Sequence, residues 1–286
     1  LSFKENKIPC IRIIVVDNDC NKETEDICLE MGHWLRWPLK YVQESERGIS
    51  QARNKTISLV PDDTDFIAFI DDDEEADPFW LDMLLTVQWK FNADVVTGKM
   101  LVKFENNPKN WMSADNLIEY RIFKRTGQRV MSARTGNSLI CCDLIKKYGF
   151  RFNEKFSLTG GGDYDFFMRI SMSGFKIVGA SEAVVYAWMP KERSNLKWLW
   201  KRWFIWGILS VSANPHIYLK HSCYHIFLCG FGIFKWIGHG TLLIFKLLSM
   251  DRVAFARGIS YIVFGLGRIA GFLGVSCEQY KVIEEE

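Results

Sequence analysis

The stretch Phe66-Ile67-Ala68-Phe69-Ile70-Asp71-Asp72-Asp73-Glu74-Glu75 decides how this chain is read. Five apolar residues are enough for a strand buried on both faces, and they end abruptly in acid. Asp71, Asp72 and Asp73 then fall where that strand leaves the sheet, and in open α/β sheets ligands bind at the carboxyl ends of strands. Carboxylates packed this densely raise one another's pKa unless a cation offsets them. Hard oxygen ligands suit Mg²⁺ or Mn²⁺, ions that usually come with a diphosphate. A solvated acidic turn is the competing explanation of the triplet. The strand directly before it, and the segments around it, weigh against that explanation.

Upstream, Arg12 to Val16 reads as a strand ending at Asp17-Asn18-Asp19, and Lys22 to Met31 as a helix stopped by Gly32. Leu39 to Gln43 is a second strand. Gly48 to Val60 places Ile49, Ala52, Thr56 and Leu59 on one helical face. Downstream, Pro78 starts a helix through Phe91, with Trp80, Leu81, Leu84, Leu85 and Trp89 for its buried side. Ala93 to Thr97 and Asn137 to Cys141 are further strands. Asp163 to Ser173 is helical, and Lys176 to Val178 and Ala183 to Tyr186 are short strands. Strands alternating with helices predict an α/β fold with a mostly parallel sheet.

The 286 residues are 48% hydrophobic, enough for an ordinary core. The net charge of +2 conceals a division: residues 1–188 carry 24 Lys/Arg against 28 Asp/Glu, and residues 189–286 carry 12 against 6. No Arg-rich recognition helix and no zinc-finger spacing is present, so nucleic acid is not an expected partner. Eight cysteines are irregularly spaced and form no C-x-x-C, which favours reduced thiols packed as small hydrophobes. No signal peptide opens the sequence, and both observations point to a cytosolic face. The Asn54-Lys55-Thr56 sequon would then be idle, within a helix.

The character changes after Pro190. Residues 195–213 form a predicted helix with Trp198, Trp200, Trp203 and Trp206 among Lys197, Lys201 and Arg202. Two apolar stretches follow, about Tyr224 to Leu248 and Val253 to Val275, each long enough to span a bilayer. Lys235 and Lys246 are eleven residues apart, as are Arg257 and Arg268, so each pair lies on one helical stripe. A cationic stripe on an apolar helix fits a helix lying in the membrane interface. Spanning helices and a soluble helical hairpin covering the first domain are the other two readings. The expected division is residues 1–190 as an α/β domain and 191–286 as a helical, Trp-rich, membrane-associated region.

Four segments resemble a known family: Val15-Val16-Asp17-Asn18-Asp19, Arg47-Gly48-Ile49-Ser50-Gln51-Ala52-Arg53-Asn54, Phe69-Ile70-Asp71-Asp72-Asp73-Glu74, and Thr159-Gly160-Gly161-Gly162-Asp163-Tyr164-Asp165 with Arg169 beyond. Their order and spacing are similar to those of family 2 glycosyltransferases of the GT-A fold, in particular bacterial transferases that extend lipid-linked exopolysaccharide repeats of the succinoglycan type. The resemblance runs from about residue 8 to about residue 207. It implies metal-dependent, inverting transfer of a sugar from a nucleotide-sugar, a UDP-sugar, to a glycan or polyprenyl-linked acceptor in surface polysaccharide synthesis. It places the chain at the cytoplasmic face of the plasma membrane, peripheral or monotopic. By the same resemblance Asp73 ligates Mg²⁺ or Mn²⁺ and Asp71 holds the metal's shell or the ribose. Asp17 and Asp19 face the nucleotide, and Arg53 lies near the base or diphosphate. Inversion by single displacement needs one base, and Asp163 is the candidate, with Asp165 second. Asp163 has an alternative role as a helix N-cap, and Arg169 suits Asp165 as an i,i+4 partner.

The chain departs from the family pattern in three places. Gly162-Asp163 stands where Glu-Asp is usual. Only Leu1 to Cys10 precede the strand that ends at Asp17, too little for the strand and helix with which the family begins, so an N-terminally incomplete GT-A domain is expected. Leu199-Trp200-Lys201-Arg202-Trp203 lacks the Gln of the Gln-x-x-Arg-Trp motif in processive members, which favours single-sugar addition. A non-catalytic, membrane-bound partner protein of the same fold is the rival reading.

Overall fold

A computed structural model describes residues 1–3, 8–19, 23–105, 123–212, 237–238, 241 and 252–275. Strand β1 (Ile13–Asp17) leads through α1 (Glu23–Gly32) to β2 (Leu39–Gln43), and the two strands pair in parallel as a small sheet of their own. Helix α2 (Ile49–Ser58) leads to β3 (Phe66–Ile70), the short β4 (Glu74–Ala76) and helix α3 (Trp80–Phe91). Then come β5 (Val95–Phe104), β6 (Arg129–Val130), β7 (Asn137–Cys141), α4 (Asp143–Lys146), α5 (Gly162–Met172) and β8 (Ile177–Met189). The second sheet runs β3-β7-β5-β8-β4, with β6 also paired to β8.

The expected mostly parallel sheet is corrected by this pairing, because the larger sheet is mixed. Within it β5 and β8 pair in parallel, whereas β7 lies antiparallel to both β3 and β5, and β4 and β6 run antiparallel to β8. Strand–helix alternation predicts parallel crossovers, but β7 is inserted between β3 and β5 from a distant part of the chain, which local periodicity does not record. The two short strands expected around Lys176 and Ala183 are one long strand, β8, with a register shift opposite Gly98/Lys99.

Successive residues of the central strands point to opposite faces, as the pleat requires. Val95, Ile140 and Ile177 belong to one buried cluster, with Phe166, Phe167 and Ile170 of α5. Val96, Leu139 and Val178 belong to the other, with Trp80, Leu81, Leu84 and Leu85 of α3. Each fully buried Leu or Phe side chain contributes about 1.5–3 kcal/mol relative to exposure. Trp89, expected on the buried side of α3, is 62% exposed, and Val87 is buried instead. Between the two sheets, Arg12 and Asp63 form a bidentate pair at 2.8 and 2.9 Å, just ahead of β1 and β3.

Beyond β8, a turn at Lys191–Arg193 leads to α6 (Leu196–Ser212), and α7 spans Arg252–Phe272. Asn195 caps α6, its side chain accepting from the Trp198 amide at 2.9 Å. The two helices cross with almost no space between backbones. A Cβ at Gly207 would lie 2.3 Å from the Phe264 carbonyl oxygen, and one at Gly267 would lie 2.1 Å from that of Phe204. Small residues at such crossings let backbones approach closely. Leu199, Trp203, Ala256 and Phe264 form a third cluster with Met189, against which Val102 and Phe104 of β5 pack. The helix pair thus covers one end of the sheet. Among the described residues no helix is long and apolar enough to cross a membrane. Lys235, Lys246 and most of the stretch from Tyr224 to Leu248 lie outside the described residues.

Candidate active site

Strand β3 delivers Asp71 to the mouth of a cavity of about 850 Å³, and Asp73 and Glu74 line it on the way into β4. Asp163 enters from α5, on the far side of consecutive left-handed glycines, Gly160 (φ 79°) and Gly161 (φ 88°). Helix α5 is capped at Gly161, so Asp163 is the helix's second residue and not its N-cap. The side-chain oxygens of Asp163 are both engaged: one is ion-paired with Arg53, and the other accepts from the Thr135 amide at 3.1 Å.

Arg53 also reaches Asp71, 3.5 Å away, and its guanidinium lies 5.6 Å from the ring centroid of Phe152. Helix α2 can present Arg53 there because its start is pinned. Asn18 donates to the carbonyls of Glu44 and Glu46 at 2.9 and 2.7 Å, and the Gly48 amide donates back to Asn18 at 2.6 Å. Gly48 has φ 142°, and a Cβ there would lie 2.5 Å from that of Ser157. No larger residue fits that turn.

Burial, partly offset by Arg53, pushes the Asp71 carboxyl up to about 6; the nearby Asp163, Asp73 and Asp72 add to the shift. Burial, and then Asp71 itself, pushes Glu74 up to about 8. Gly136 is what lets this pair sit so close to the backbone. A Cβ at that position would stand 2.6 Å from Asp71 Oδ2 and 2.7 Å from Glu74 Oε2. Glu74 and Gly136 were not singled out from sequence. Glu74 belongs to the quoted acidic run, whereas nothing local marks Gly136.

The other expected site residues fall elsewhere. Asp165 is buried on the opposite side of α5, where it accepts from Arg169 Nε and Nη2, both at 2.8 Å. Arg169 also donates to the Arg151 carbonyl, so this pair ties α5 to the loop before it. Asp17 is buried at the end of β1 and does not line the cavity. It accepts from the Asp19 amide at 2.8 Å and from the Tyr41 hydroxyl at 2.9 Å. Burial first and this bond second push the Tyr41 hydroxyl up to about 12. Asp19 stays beside Asp17, its carbonyl accepting from Gln43 at 3.2 Å. The structure therefore brings together Arg53, Asp71, Asp73 and Asp163, and leaves Asp17, Asp19 and Asp165 outside the cavity.

Residues 1–150 match the family described as glycosyl transferase family 2. The succinoglycan biosynthesis protein ExoM of Rhizobium meliloti (strain 1021) is 30% identical over 194 residues, which cover 68% of this chain and 62% of that protein. The chain thus spans less than two thirds of that relative's length. Among solved structures, GalNAc-T7 with UDP, GalNAc and Mn²⁺ is similar with a TM-score of 0.50 and 16% identity, over 76% of this chain and 47% of that one. S. aureus TarS 1–349 in complex with UDP-GlcNAc covers 96% of this chain and 89% of its own, at 14% identity and a TM-score of 0.46. The likeness to GalNAc-T7 concerns the fold, which is α/β and GT-A-like with a mixed sheet. On the family match, which spans more than half of its length, the chain belongs to glycosyl transferase family 2.

Proposed function

We propose that the chain transfers one sugar, with inversion, from a nucleotide-sugar, a UDP-sugar, to a polyprenyl-linked or other glycan acceptor in surface polysaccharide synthesis. The observation that carries this reading is one cavity lined by Asp71, Asp73 and Asp163, in which Arg53 is ion-paired with Asp163 and stands 3.5 Å from Asp71. The kinship with a succinoglycan biosynthesis protein supports the polysaccharide context. Asp163 is the base. The acceptor hydroxyl gives its proton to the carboxylate, the oxygen bonds the anomeric carbon, and the bond to the diphosphate breaks with its electron pair on the departing phosphate. The contacts from Arg53 and the Thr135 amide fix the orientation of that carboxylate.

Asp71 and Asp73, with Glu74 beside them, are the residues that would hold Mg²⁺ or Mn²⁺. Among the described residues no group of three or more His, Cys, Asp or Glu is arranged as a metal cage. A cation of this type needs only one or two protein carboxylates and completes its shell with phosphate and water. The Asp71–Glu74 pair, in which each carboxyl is held above its ordinary value, fits that requirement. When bound, the cation neutralises charge developing on the diphosphate.

The cytoplasmic face of the plasma membrane is the proposed location. An apolar stripe on the end of α7 supports it, with Leu266, Ile269 and Phe272 exposed and Leu273 exposed just beyond the helix. Leu266, Ile269 and Phe272 recur every three positions, as an interface-lying helix requires.

The test is to incubate the chain with UDP-sugars, Mn²⁺ and membrane lipid extract, and to follow both sugar transfer and thermal stabilisation by UDP. Metal-dependent stabilisation with turnover supports the reading. Stabilisation without turnover on any acceptor favours the non-catalytic partner protein, a rival supported by the position of Asp17 outside the cavity. Indifference to nucleotides overturns both donor and metal assignments. Sedimentation with anionic vesicles, lost on Phe272→Glu, tests the location.

A further inference from the structure

Two arginines on the sheet side of the cavity have no anion to meet. Arg129 of β6 is exposed, and Arg134, between β6 and β7, is half-buried; both line the cavity. Among the described residues neither forms an ion pair, whereas Arg53 pairs with Asp163 and reaches Asp71. The contact that Arg134 makes is with a thioether, its Nη1 lying 3.2 Å from Met100 Sδ. A thioether sulfur is a weak acceptor and carries no charge. A guanidinium keeps its charge at any physiological pH, and holding it half out of water without a counter-ion is costly. The next residues fix where Arg134 stands. The Thr135 amide donates to Asp163 at 3.1 Å, and Gly136 lies against Asp71 and Glu74. Arg134 thus adjoins the base yet is ion-paired with none of Asp71, Asp73, Glu74 and Asp163.

With the diphosphate at Asp71 and Asp73 and the reacting hydroxyl at Asp163, the donor's sugar ring lies between them. A cation beside Asp163 that pairs with neither end is placed to meet that ring. A neutral hexose would leave Arg134 as unpaired as it is in the empty cavity, whereas a carboxylate on the ring would take two parallel, charge-assisted hydrogen bonds from it. Resting on the transferase reading, we infer that the donor is a nucleotide-activated uronic acid, whose sugar carboxylate is recognised by Arg134, with Arg129 as a second, outer charge. The carboxylate takes no part in the transfer itself. Arg134 therefore selects the donor and leaves the proton transfer to Asp163 unchanged.

The experiment measures calorimetric binding to the full chain in Mn²⁺. The probes are UDP, the pair UDP-glucuronate and UDP-glucose, and the pair UDP-galacturonate and UDP-galactose. In at least one pair the uronate should bind about tenfold more tightly than the neutral sugar. Arg134→Gln should abolish that preference and leave the affinity for UDP alone within about twofold of the unaltered chain. Arg134→Met, which keeps the packing against Met100 and removes only the charge, should do the same. Arg129→Gln, at an exposed position, should reduce the preference without abolishing it. The inference is overturned if the unaltered chain distinguishes the uronate in neither pair, or if the preference survives both Arg134 variants. It is also overturned if affinity for UDP falls in step with affinity for the uronate, because Arg134 would then be a contact of the diphosphate. Failure of UDP to bind the unaltered chain would instead overturn the transferase reading beneath it.

Discussion

Arg53 is ion-paired with Asp163 and stands 3.5 Å from Asp71, so one guanidinium from α2 joins a carboxylate at the end of β3 to one at the start of α5. Arg53 is almost fully buried, and removing it leaves two facing carboxylates without their shared counter-ion. Arg53→Ala should lower stability by about 1–3 kcal/mol. Transfer should fall by about two orders of magnitude. Chemical denaturation and a transfer assay on the folded protein separate the two effects. Normal turnover in this variant would remove Arg53 from the site.

Asp163 and Asp165 are two residues apart on α5 but face different surroundings. Asp163→Asn should bind UDP as before and lose about 10²–10⁴-fold in transfer rate. Asp165→Asn should lower the unfolding midpoint, because Arg169 loses a partner at 2.8 Å, while the folded fraction keeps its turnover. If Asp165→Asn is the variant that folds normally and loses turnover, the base assignment moves to Asp165.

Asp71 and Glu74, pushed up to about 6 and about 8, both stand above ordinary carboxyl values. The folded chain therefore binds more protons than the unfolded chain between about pH 4 and about pH 8. Stability without a divalent cation should fall as pH rises through that window and level off above it. Mn²⁺ competes with those protons, so its binding should strengthen over the same range. Melting curves at about pH 5.5, 7 and 8.5, with and without Mn²⁺, check this. Glu74→Gln should flatten the cation-free decline.

Gly136→Ala places a methyl group against both Asp71 and Glu74 and should displace their oxygens without exposing any core. Cation-dependent UDP binding should weaken by about tenfold, with a melting temperature close to that of the unaltered chain in the absence of metal. A variant that binds UDP and Mn²⁺ normally would show that the acid pair does not hold the cation.

The sequence was informative wherever structure is local. β2, β3 and β7 occupy the expected residues, and for β3 the reason is plain, because a five-residue apolar run between acidic residues has no other way to bury itself. Arg53, Asp71, Asp73 and Asp163 meet because strand ends and helix starts gather at one edge of an α/β sheet. The antiparallel insertion of β7 was not legible, since a strand's partners are chosen by residues far along the chain. For the same reason Gly136 gave no local sign of its role: its significance comes from Asp71 and Glu74, which reach it across the fold. Asp17 has the right position at a strand end, yet Tyr41 and the Asp19 amide take its oxygens, a pairing that periodicity does not register. The Trp cluster of α6 divides by helical phase, with Trp203 turned into the core and Trp198 and Trp206 toward the cavity.

The glycine crossing of α6 and α7 makes the helical side of the cavity a calibrated part. Gly267 touches the backbone of Phe204 and is the immediate neighbour of Arg268, while Gly207 adjoins Trp206. A single added methyl group at either glycine would act as a wedge, tilting one helix against the other. Trp198, Arg202, Trp206 and Arg268, which all line the cavity, would shift together, none of them altered. The shape of the cavity on this side is therefore set as much by the absence of side chains at a helix crossing as by the side chains that line it.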